Sequence, residues 1–395
     1  TALLGEARQA VGTRDLRGGV LGARFNYVSA MVEFQRGNLT GGSAQLAQAI
    51  TFLKASSPRL YQIDLADAAF VSGSVTQRVA DDLYANVLRE PTAADWAVDP
   101  METLAVVLTP HPLPLQHWLE AAMLRKDVDK SIEIADRIRR HRFYSSLPVG
   151  GRLMSLRWIL EAPESLLSQQ AVLQRQDLLG RYGDYAKLSA QAAAIRNELE
   201  KLPLASDKPE DVKKQTQLFE QLAQASTAQE VMLQAIALRR EPSEFVFPPL
   251  RTVKEIQQSL TEEQLVLAYS VSDRYILGFA FSKDKSSAWQ IEKPAALLKQ
   301  VADLLKQMGL AERKSGMDPA SLKDEAWKAT AGALLQTLTN SGNSSAWDAY
   351  RELIVIPDGP LWYVPFEALQ VPAATGTQPL ISKVRVRYLP TTGLL

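Results

Sequence analysis

The sequence has 395 residues and a mass of 43.6 kDa, enough for two or three domains that each bury a core. Lysine plus arginine and aspartate plus glutamate both number 44, so no net charge points to nucleic acid or an anionic membrane as a partner. There is no cysteine, which excludes disulfides, thiolate metal sites and a cysteine nucleophile within these residues.

The chain begins at Thr1, without methionine and without a charged-then-apolar signal segment. We therefore expect that residue 1 is not the start of the gene product. No run of 18 apolar residues occurs, so no membrane-spanning helix and no membrane partner are expected. The absence of cysteine fits a reducing compartment, and the expected location is cytoplasmic.

Three helical hairpins are predicted in the first 150 residues. In each, an apolar helix ends at a tight polar turn and a second helix with small residues follows. The turns are Gly37-Asn38, Ser72-Gly73-Ser74 and Lys126-Asp127. The alanines expected where the paired helices approach closely are Ala30, Ala44, Ala69, Ala80, Ala121 and Ala135.

The spacing of the first two turns is close to the tetratricopeptide period of ~34 residues, whereas the third turn follows after a longer interval. Residues 1–160 therefore resemble a degenerate tetratricopeptide-like helical array. A non-repeating helical bundle is the alternative. An array of either kind implies an extended surface for a protein or peptide partner.

Residues 161–249 are predicted to form a long helical hairpin that links this array to the rest of the chain. Leucine and isoleucine recur at three-, four- or seven-residue spacings from 163 to 202, and a second helical segment covers 211–241. The segment PSEFVFPPL at 242–250 contains three prolines, which cannot continue a helix. We place the main domain boundary there.

The hydrophobic period changes after residue 250. A short helix, TVKEIQQSL, precedes LVLAYSV, YILGFAF and SSAWQIE, which predict an antiparallel meander. AALLKQVADLLKQMGL and DEAWKATAGALLQTL predict two amphipathic helices. LIVIP at 353–357 predicts a strand of a parallel sheet that is buried on both faces, and KVRVRYLP at 383–390 predicts a strand nearer an edge.

The turn after LIVIP can be explained by its own residues. Asp358 is expected to cap its own backbone, and Gly359 tolerates a positive φ. Pro365 fixes the next chain direction, and the Phe366 ring is expected to enter the core. The motif holds no nucleophile and base, so by itself it predicts a fold marker without chemistry of its own.

This order of elements resembles the N-terminal part of a CHAT domain, the caspase-like cysteine peptidase domain that often follows tetratricopeptide repeats. The resemblance covers residues 250–395. The matching residues are Ile356, Pro357, Asp358, Gly359, Leu361, Pro365, Phe366, Ala368, Leu369, Tyr388, Leu389 and Pro390. The signature residues with an expected structural role are Pro357, Asp358, Gly359, Leu361, Pro365, Phe366 and Leu369.

The expected fold class is therefore α plus α/β. It consists of the tetratricopeptide-like array at 1–160, the long helical hairpin at 161–249, and the incomplete N-terminal part of a caspase-like α/β domain with a β-meander at 250–395. Such a partial sheet is expected to leave LIVIP with an unpaired edge. More polypeptide or a second chain is then needed to stabilise it.

The resemblance implies an endopeptidase that cleaves a protein substrate under the control of a partner, with its catalytic histidine and cysteine C-terminal to this chain. No catalytic residue, cofactor or metal site is therefore assigned here. The expected partners are a protein or peptide on the helical array, the substrate of the longer protein, and the remaining part of the CHAT domain, including as a second fragment. A catalytically inactive scaffold that mediates protein contact is the main alternative. A helical adaptor with an unrelated small α/β domain is a third.

Other residues that carry chemistry elsewhere are expected to be structural here. His111, His117 and His141 lie in the helical half, without an acidic residue at a metal-ligand spacing such as H-E-x-x-H. Neither a G-x-S-x-G elbow nor a P-loop occurs. DRIRRHRF at 136–143 predicts a basic patch near a helix end, where it complements the helix dipole, and nucleic acid is not an expected partner.

Overall fold

The computed structural model describes residues 2–15, 19–243, 245–310, 325–340 and 349–395. These residues are mostly helical and include a mixed five-stranded sheet, which confirms the expected combination of α and β structure. The chain divides into two compact units, each made of three segments. The first unit is Thr1–Ser74, Asp82–Pro114 and His141–Phe247, and the second is Val75–Asp81, Leu115–Arg140 and Pro248–Leu395.

These units group the chain differently from the predicted segments 1–160, 161–249 and 250–395. Leu115–Arg140, expected in the helical array, belong to the unit that contains the sheet. Hydrogen bonds within the second unit give the physical reason. Asp129 accepts a hydrogen bond from the Ser286 hydroxyl at 2.7 Å, and Glu133 accepts one from the Val253 backbone N–H at 3.2 Å.

The helices before residue 243 include all three predicted hairpins. In chain order they are α1 (Ala2–Asp15), α2 (Val20–Gln35), α3 (Leu39–Ser56), α4 (Pro58–Val71), α5 (Gln77–Val87), α6 (Ala93–Val98), α7 (Pro100–Leu108), α8 (Pro112–Leu124), α9 (Val128–Ser146), α10 (Arg152–Glu161), α11 (Gln169–Arg181), α12 (Gly183–Glu200) and α13 (Pro209–Ala237). Each predicted turn contains a residue with positive φ, namely Gly37 at 77°, Gly73 at 70° and Lys126 at 58°. The left-handed conformation ends one helix abruptly and lets the next begin.

Small residues do allow close helix approach, but not at every predicted position. Ala30, Ala80, Ala121 and Ala135 are buried, and Ala69 is half-buried. The expectation for Ala44 is wrong, because its side chain is exposed. Gly42 makes the close approach between α2 and α3 instead. A Cβ atom at Gly42 would lie 2.6 Å from the Phe34 ring, so only glycine fits there without rearrangement.

The long predicted hairpin is present, but its first arm is broken into α11 and α12. The break lies at Tyr182, whose φ of −119° and ψ of 57° are not helical. It allows two consecutive residues to contact the same carboxylate. Glu241 accepts a hydrogen bond from the Tyr182 hydroxyl at 2.6 Å and pairs with the Arg181 guanidinium. The second arm, α13, continues for 29 residues.

The second unit contains the predicted meander, helix pair and parallel strands. In chain order its elements after residue 250 are α14 (Val253–Ser259), β1 (Gln264–Val271), β2 (Ile276–Phe281), β3 (Ser286–Ile291), α15 (Pro294–Gln307), α16 (Ala326–Leu338), β4 (Glu352–Ile356), β5 (Gln370–Pro372), β6 (Thr377–Pro379) and β7 (Arg385–Tyr388). The large sheet has the order β3-β2-β1-β4-β7. The first three strands pair antiparallel, β4 is parallel to both β1 and β7, and β5 pairs with β6 in a small separate sheet.

Strand β4 is buried along its whole length, as LIVIP predicts. The expectation that it has an unpaired edge is wrong, because β1 pairs with one edge and β7 with the other. The outer strand β7 carries exposed charges instead. Arg385 and Arg387 lie 3.1 Å and 3.7 Å from the Glu352 carboxylate. Charged side chains of this kind protect an open edge against unwanted strand pairing.

One face of the sheet forms a core with α15 and α16. Alternate residues of β1 and β4 point into it, because successive side chains of a strand lie on opposite faces. Its fully buried members include Tyr269, Leu334, Leu338, Leu353, Val355, Leu361, Phe366 and Leu369. The predicted insertion of the Phe366 ring is confirmed. In the part of the chain described here, no helix combines the length and the apolar character needed to cross a membrane.

Candidate functional site

The three parallel strands bring their carboxyl ends to one edge of the sheet. After β1 the chain continues to β2 and β3 on one side, and it returns to β4 on the other side. Strand order therefore reverses between β1 and β4. In open α/β sheets, ligands and catalytic groups lie beyond the carboxyl ends of the strands at such a reversal. We call the residues Tyr269, Val271, Asp358, Thr391 and Thr392 at these strand ends the carboxyl edge.

Asp358 joins the ends of the two central strands. Its Oδ2 accepts a hydrogen bond from the Val271 backbone N–H at 2.7 Å, so this contact goes to the neighbouring strand and not to its own backbone. The side chain of Asp358 is 7% exposed. Gly359, with φ of 52°, turns the chain away immediately afterwards, and its expected positive φ is confirmed. The pair fixes the geometry of the sheet where strand order reverses.

The other predicted signature residues lie close to this turn in the sequence, and most of them are buried. Pro357, Leu361, Phe366 and Leu369 are buried, and Pro365 is half-buried. The Tyr388 hydroxyl, at the end of β7, accepts a hydrogen bond from the Phe366 backbone N–H at 2.9 Å and donates one to Glu367. Burial, and then the Glu367 carboxylate, raise the pKa of Tyr388 above its usual range. This hydroxyl therefore stays protonated at neutral pH and holds the segment that contains Phe366 and Glu367.

A buried carboxylate on α9 holds the third strand end. Asp136 is 1% exposed, and its Oδ1 accepts hydrogen bonds from the Thr391 hydroxyl at 2.7 Å and from the Thr392 backbone N–H at 2.9 Å. These contacts join residues 255 and 256 positions apart. Sequence reasoning missed Asp136, because no local pattern identifies a partner at that distance.

Arg139 completes the contact of α9 with the carboxyl edge. Its Nη1 lies 3.5 Å from Asp136 Oδ1, and its Nη2 donates a hydrogen bond to the Tyr269 backbone carbonyl. The predicted basic patch is therefore wrong in part. The Arg139 side chain is only 8% exposed and Arg140 is 1% exposed, because residues 128–140 of α9 pack within the second unit. Their charges serve internal contacts and are not presented to a polyanion.

The carboxyl edge positions strand ends but contains no nucleophile–base pair. Together with Asp136 and Arg139 of α9, its described polar groups are carboxylates, hydroxyls, a guanidinium and backbone amides. Acyl transfer by a hydroxyl needs an adjacent base such as histidine. All three histidines lie elsewhere along the sequence. Over the described ranges, no group of three or more His, Cys, Asp or Glu residues is placed to hold a metal ion.

Two of the predicted structural histidines, the buried His111 and the half-buried His141, form a pair in the first unit. The rings of His111 and His141 stack with centroids 5.0 Å apart and an interplanar angle of 28°. The Nε2 atom of His111 donates to the Val106 carbonyl at 3.1 Å, and that of His141 donates to the Thr109 carbonyl at 2.9 Å. These bonds leave both rings stable in their neutral form.

The histidine pair predicts a stability loss in mild acid. Burial, and then the neighbouring His141, lower the pKa of His111 from 6.5 to about 4, while Lys54 acts in the same direction. Burial also lowers the pKa of His141, against a smaller opposing effect of Glu90. Because the unfolded chain binds these protons and the folded chain does not, the free energy of unfolding should fall as the pH decreases from 6.5 towards 4, by at most about 3 kcal/mol for His111.

Urea unfolding between pH 7.5 and 4.5 measures this effect, with His111→Gln as the matched variant. Glutamine can still donate to the Val106 carbonyl but does not titrate. We expect the difference in stability between the native protein and the variant to shrink or reverse as the pH falls. Parallel curves across this range would show that the pair does not control acid stability.

No family model matches this chain, and a search of curated proteins gives no match either. Function is therefore inferred from the residues and geometry of the carboxyl edge and from the resemblance of the sequence.

Proposed function

We propose that this chain provides a helical recognition region and the first strands of a caspase-like, CHAT-type peptidase domain, within a longer protein that cleaves a protein substrate. The observation that carries the proposal is the reversal of strand order between β1 and β4, with Asp358 and Gly359 at its carboxyl end. The resemblance to a CHAT domain implies that Asp358 and Gly359 follow a buried parallel strand of a caspase-like sheet. Such a reversal is also where an α/β sheet most often holds its reacting groups.

The proposal assigns the reacting groups to sequence outside these residues, since the chain has no cysteine. In a cysteine peptidase, histidine removes the thiol proton and the thiolate attacks the substrate carbonyl. The peptide C–N bond then breaks, the amine leaves with the proton from the histidine, and water hydrolyses the acyl-enzyme to release the acid and the thiol. Further parallel strands would have to pair with the outer edge of β7, beside the exposed Arg385 and Arg387. The role proposed for Asp136, Arg139 and Asp358 is to hold the strand ends beside which these groups would lie.

The helical hairpins support the recognition part of the proposal. The pairs α2–α3, α4–α5 and α8–α9 each consist of two helices joined by a short turn, which supports the tetratricopeptide-like array that we propose. We propose that a protein or peptide partner binds these helices and controls the peptidase. A cytoplasmic location remains part of this proposal.

A catalytically inactive scaffold that mediates protein contact is the second candidate, since the absence of cysteine from these residues is equally compatible with it. The third candidate is a helical adaptor with an unrelated small α/β domain. A fold without a parallel strand at 353–357 would favour that candidate, and strand β4 pairs parallel with β1 and β7.

A thiol-directed activity probe on the longer protein tests the proposal. The protein would be incubated with the probe with and without the partner that co-purifies with its helical region. We expect labelling of one cysteine that depends on a histidine in the same protein and is lost in the Cys→Ala variant. Absence of labelling and of substrate cleavage under both conditions would favour the scaffold.

A further inference from the structure

A cavity of about 450 Å³ lies between helices of the first unit. Its apolar lining consists of Tyr27, Val28, Met31, Pro100, Met101 and Leu238. Three buried residues form the floor of the cavity: Tyr27 and Met101 are each 8% exposed, and Leu238 is 1% exposed. The Tyr27 hydroxyl also donates a hydrogen bond to the Leu238 carbonyl at 2.7 Å. The floor can accept one apolar side chain without first reorganising.

Three arginines and one carboxylate complete the lining of this cavity. The carboxylate, Asp99, already caps α7, since its Oδ1 accepts hydrogen bonds from the N–H groups of Met101 and Glu102 at 3.1 Å each. Arg24 and Arg240 are exposed. The cavity therefore combines an apolar floor with an excess of positive charge.

Arg239 is the third arginine, and it is held in place before any ligand binds. Its guanidinium lies 5.5 Å from the centre of the Tyr182 ring, and its Nη1 donates to the Tyr182 hydroxyl at 3.3 Å. A guanidinium fixed in this way presents its remaining N–H groups at a small entropic cost.

A buried arginine, Arg152, adds positive charge beside Arg239, whose backbone carbonyl accepts a hydrogen bond from the Arg152 Nη2 at 3.3 Å. Arg152 is fully buried, stacks at 3.9 Å on the Trp96 ring, and donates to the Glu241 carbonyl at 2.6 Å. Burial lowers the pKa of Arg152 to about 9, so it stays charged at neutral pH. Within the described structure, its Nε and Nη1 have no hydrogen-bond partner. Its charge is only partly compensated and favours an anion nearby.

We propose that this cavity binds an acidic segment of a partner protein, with the carboxylate of an internal Asp or Glu side chain on the arginines and a neighbouring apolar side chain on the floor. Arginine matches a carboxylate because its planar fork can donate two parallel hydrogen bonds. A nucleic acid fits less well, since Tyr27 is the single aromatic residue of the described lining and its hydroxyl is engaged. The inference extends the proposed recognition role of the helices but needs no peptidase activity.

Methionine methyl groups provide a direct readout of binding. The sequence contains seven methionines, of which Met31 and Met101 line the cavity. In protein labelled with ¹³C at the methionine methyls, the other five signals serve as internal references. The probe is the hexapeptide Gly-Ser-Leu-Glu-Ser-Gly, acetylated and amidated, and the neutral control has Gln in place of Glu. We expect the Met31 and Met101 signals to shift saturably with the Glu peptide alone.

Arg24→Gln and Arg240→Gln test the charge requirement, and both change exposed side chains. Each should weaken binding of the Glu peptide by about fivefold or more, because a charge-assisted hydrogen bond is lost. The matched control is Arg196→Gln, an exposed arginine of α12 outside the cavity, which should leave binding unchanged.

Four results would overturn the inference. They are no shift of Met31 or Met101 at any peptide concentration, an equal response to the neutral peptide, a response only to a free C-terminal carboxylate, and saturation by an oligonucleotide in place of the peptide. These results do not depend on the thiol probe. Failed peptide binding therefore leaves the peptidase proposal standing, and a negative thiol probe leaves this one standing.

Discussion

Replacing Asp136 with alanine should lower the free energy of unfolding of the second unit by about 3 kcal/mol or more, because it leaves a buried arginine without its carboxylate. The Asp136 side chain is 2% exposed and that of Arg139 is 8% exposed, so water cannot easily take the place of the lost partner. The Thr391 hydroxyl and the Thr392 N–H lose their acceptor at the same time. The effect should appear in urea unfolding and in faster amide hydrogen exchange at Thr392.

Two further variants make this result specific. Asp136→Asn keeps an oxygen that can accept from Thr391 and Thr392 but removes the charge beside Arg139, so its loss of stability should be intermediate. Asp303→Ala removes an exposed carboxylate of α15 and should change stability by less than about 0.5 kcal/mol. If Asp136→Ala behaves like Asp303→Ala, the α9 contact does not hold the carboxyl edge.

Phe366→Ala should destabilise the second unit by about 3–5 kcal/mol, the usual cost of removing a buried aromatic ring from a core. Phe366 is fully buried, with its ring centre 6.0 Å from that of Tyr269 and 6.2 Å from that of Tyr388. The ring therefore packs beneath two of the parallel strands. Urea unfolding followed by circular dichroism measures the loss.

A neighbouring aromatic residue provides the matched control for Phe366. Trp362 lies in the same segment but is 45% exposed, so Trp362→Ala should cost much less. Phe366→Leu keeps much of the buried volume and should recover most of the stability lost in Phe366→Ala. Equal losses for Trp362→Ala and Phe366→Ala would contradict the assigned packing.

Features with a local physical cause could be predicted from the sequence. LIVIP is apolar at each position before proline, which is typical of a strand covered on both faces, and β4 is such a strand. Gly359 follows Asp358 at a point where the chain must turn, and it has positive φ. The hairpin turns at Gly37 and Gly73 have the same cause.

Features that depend on distant partners could not be predicted. The segment DRIRRHRF at 136–143 predicts a charged surface. No neighbouring residue in the sequence indicates that Asp136 accepts a hydrogen bond from Thr391 or that Arg139 donates one to the Tyr269 carbonyl. The cavity of the first unit could not be predicted either, because only helix packing brings Arg24 and Arg240 together. Composition does not distinguish an arginine that binds a ligand from one that is merely solvated.

The discontinuous second unit has a consequence for biosynthesis. Four polar residues of α9 have their partners at Ser286, Val253, Thr391 and Tyr269, all of which follow residue 250. A ribosome that adds about 5–20 residues per second needs roughly 13–50 s to translate the 255 residues that separate Asp136 from Thr391. During that interval α9 is synthesised without its final neighbours, so its carboxylates and guanidinium stay hydrated and its apolar side chains are open to chaperones.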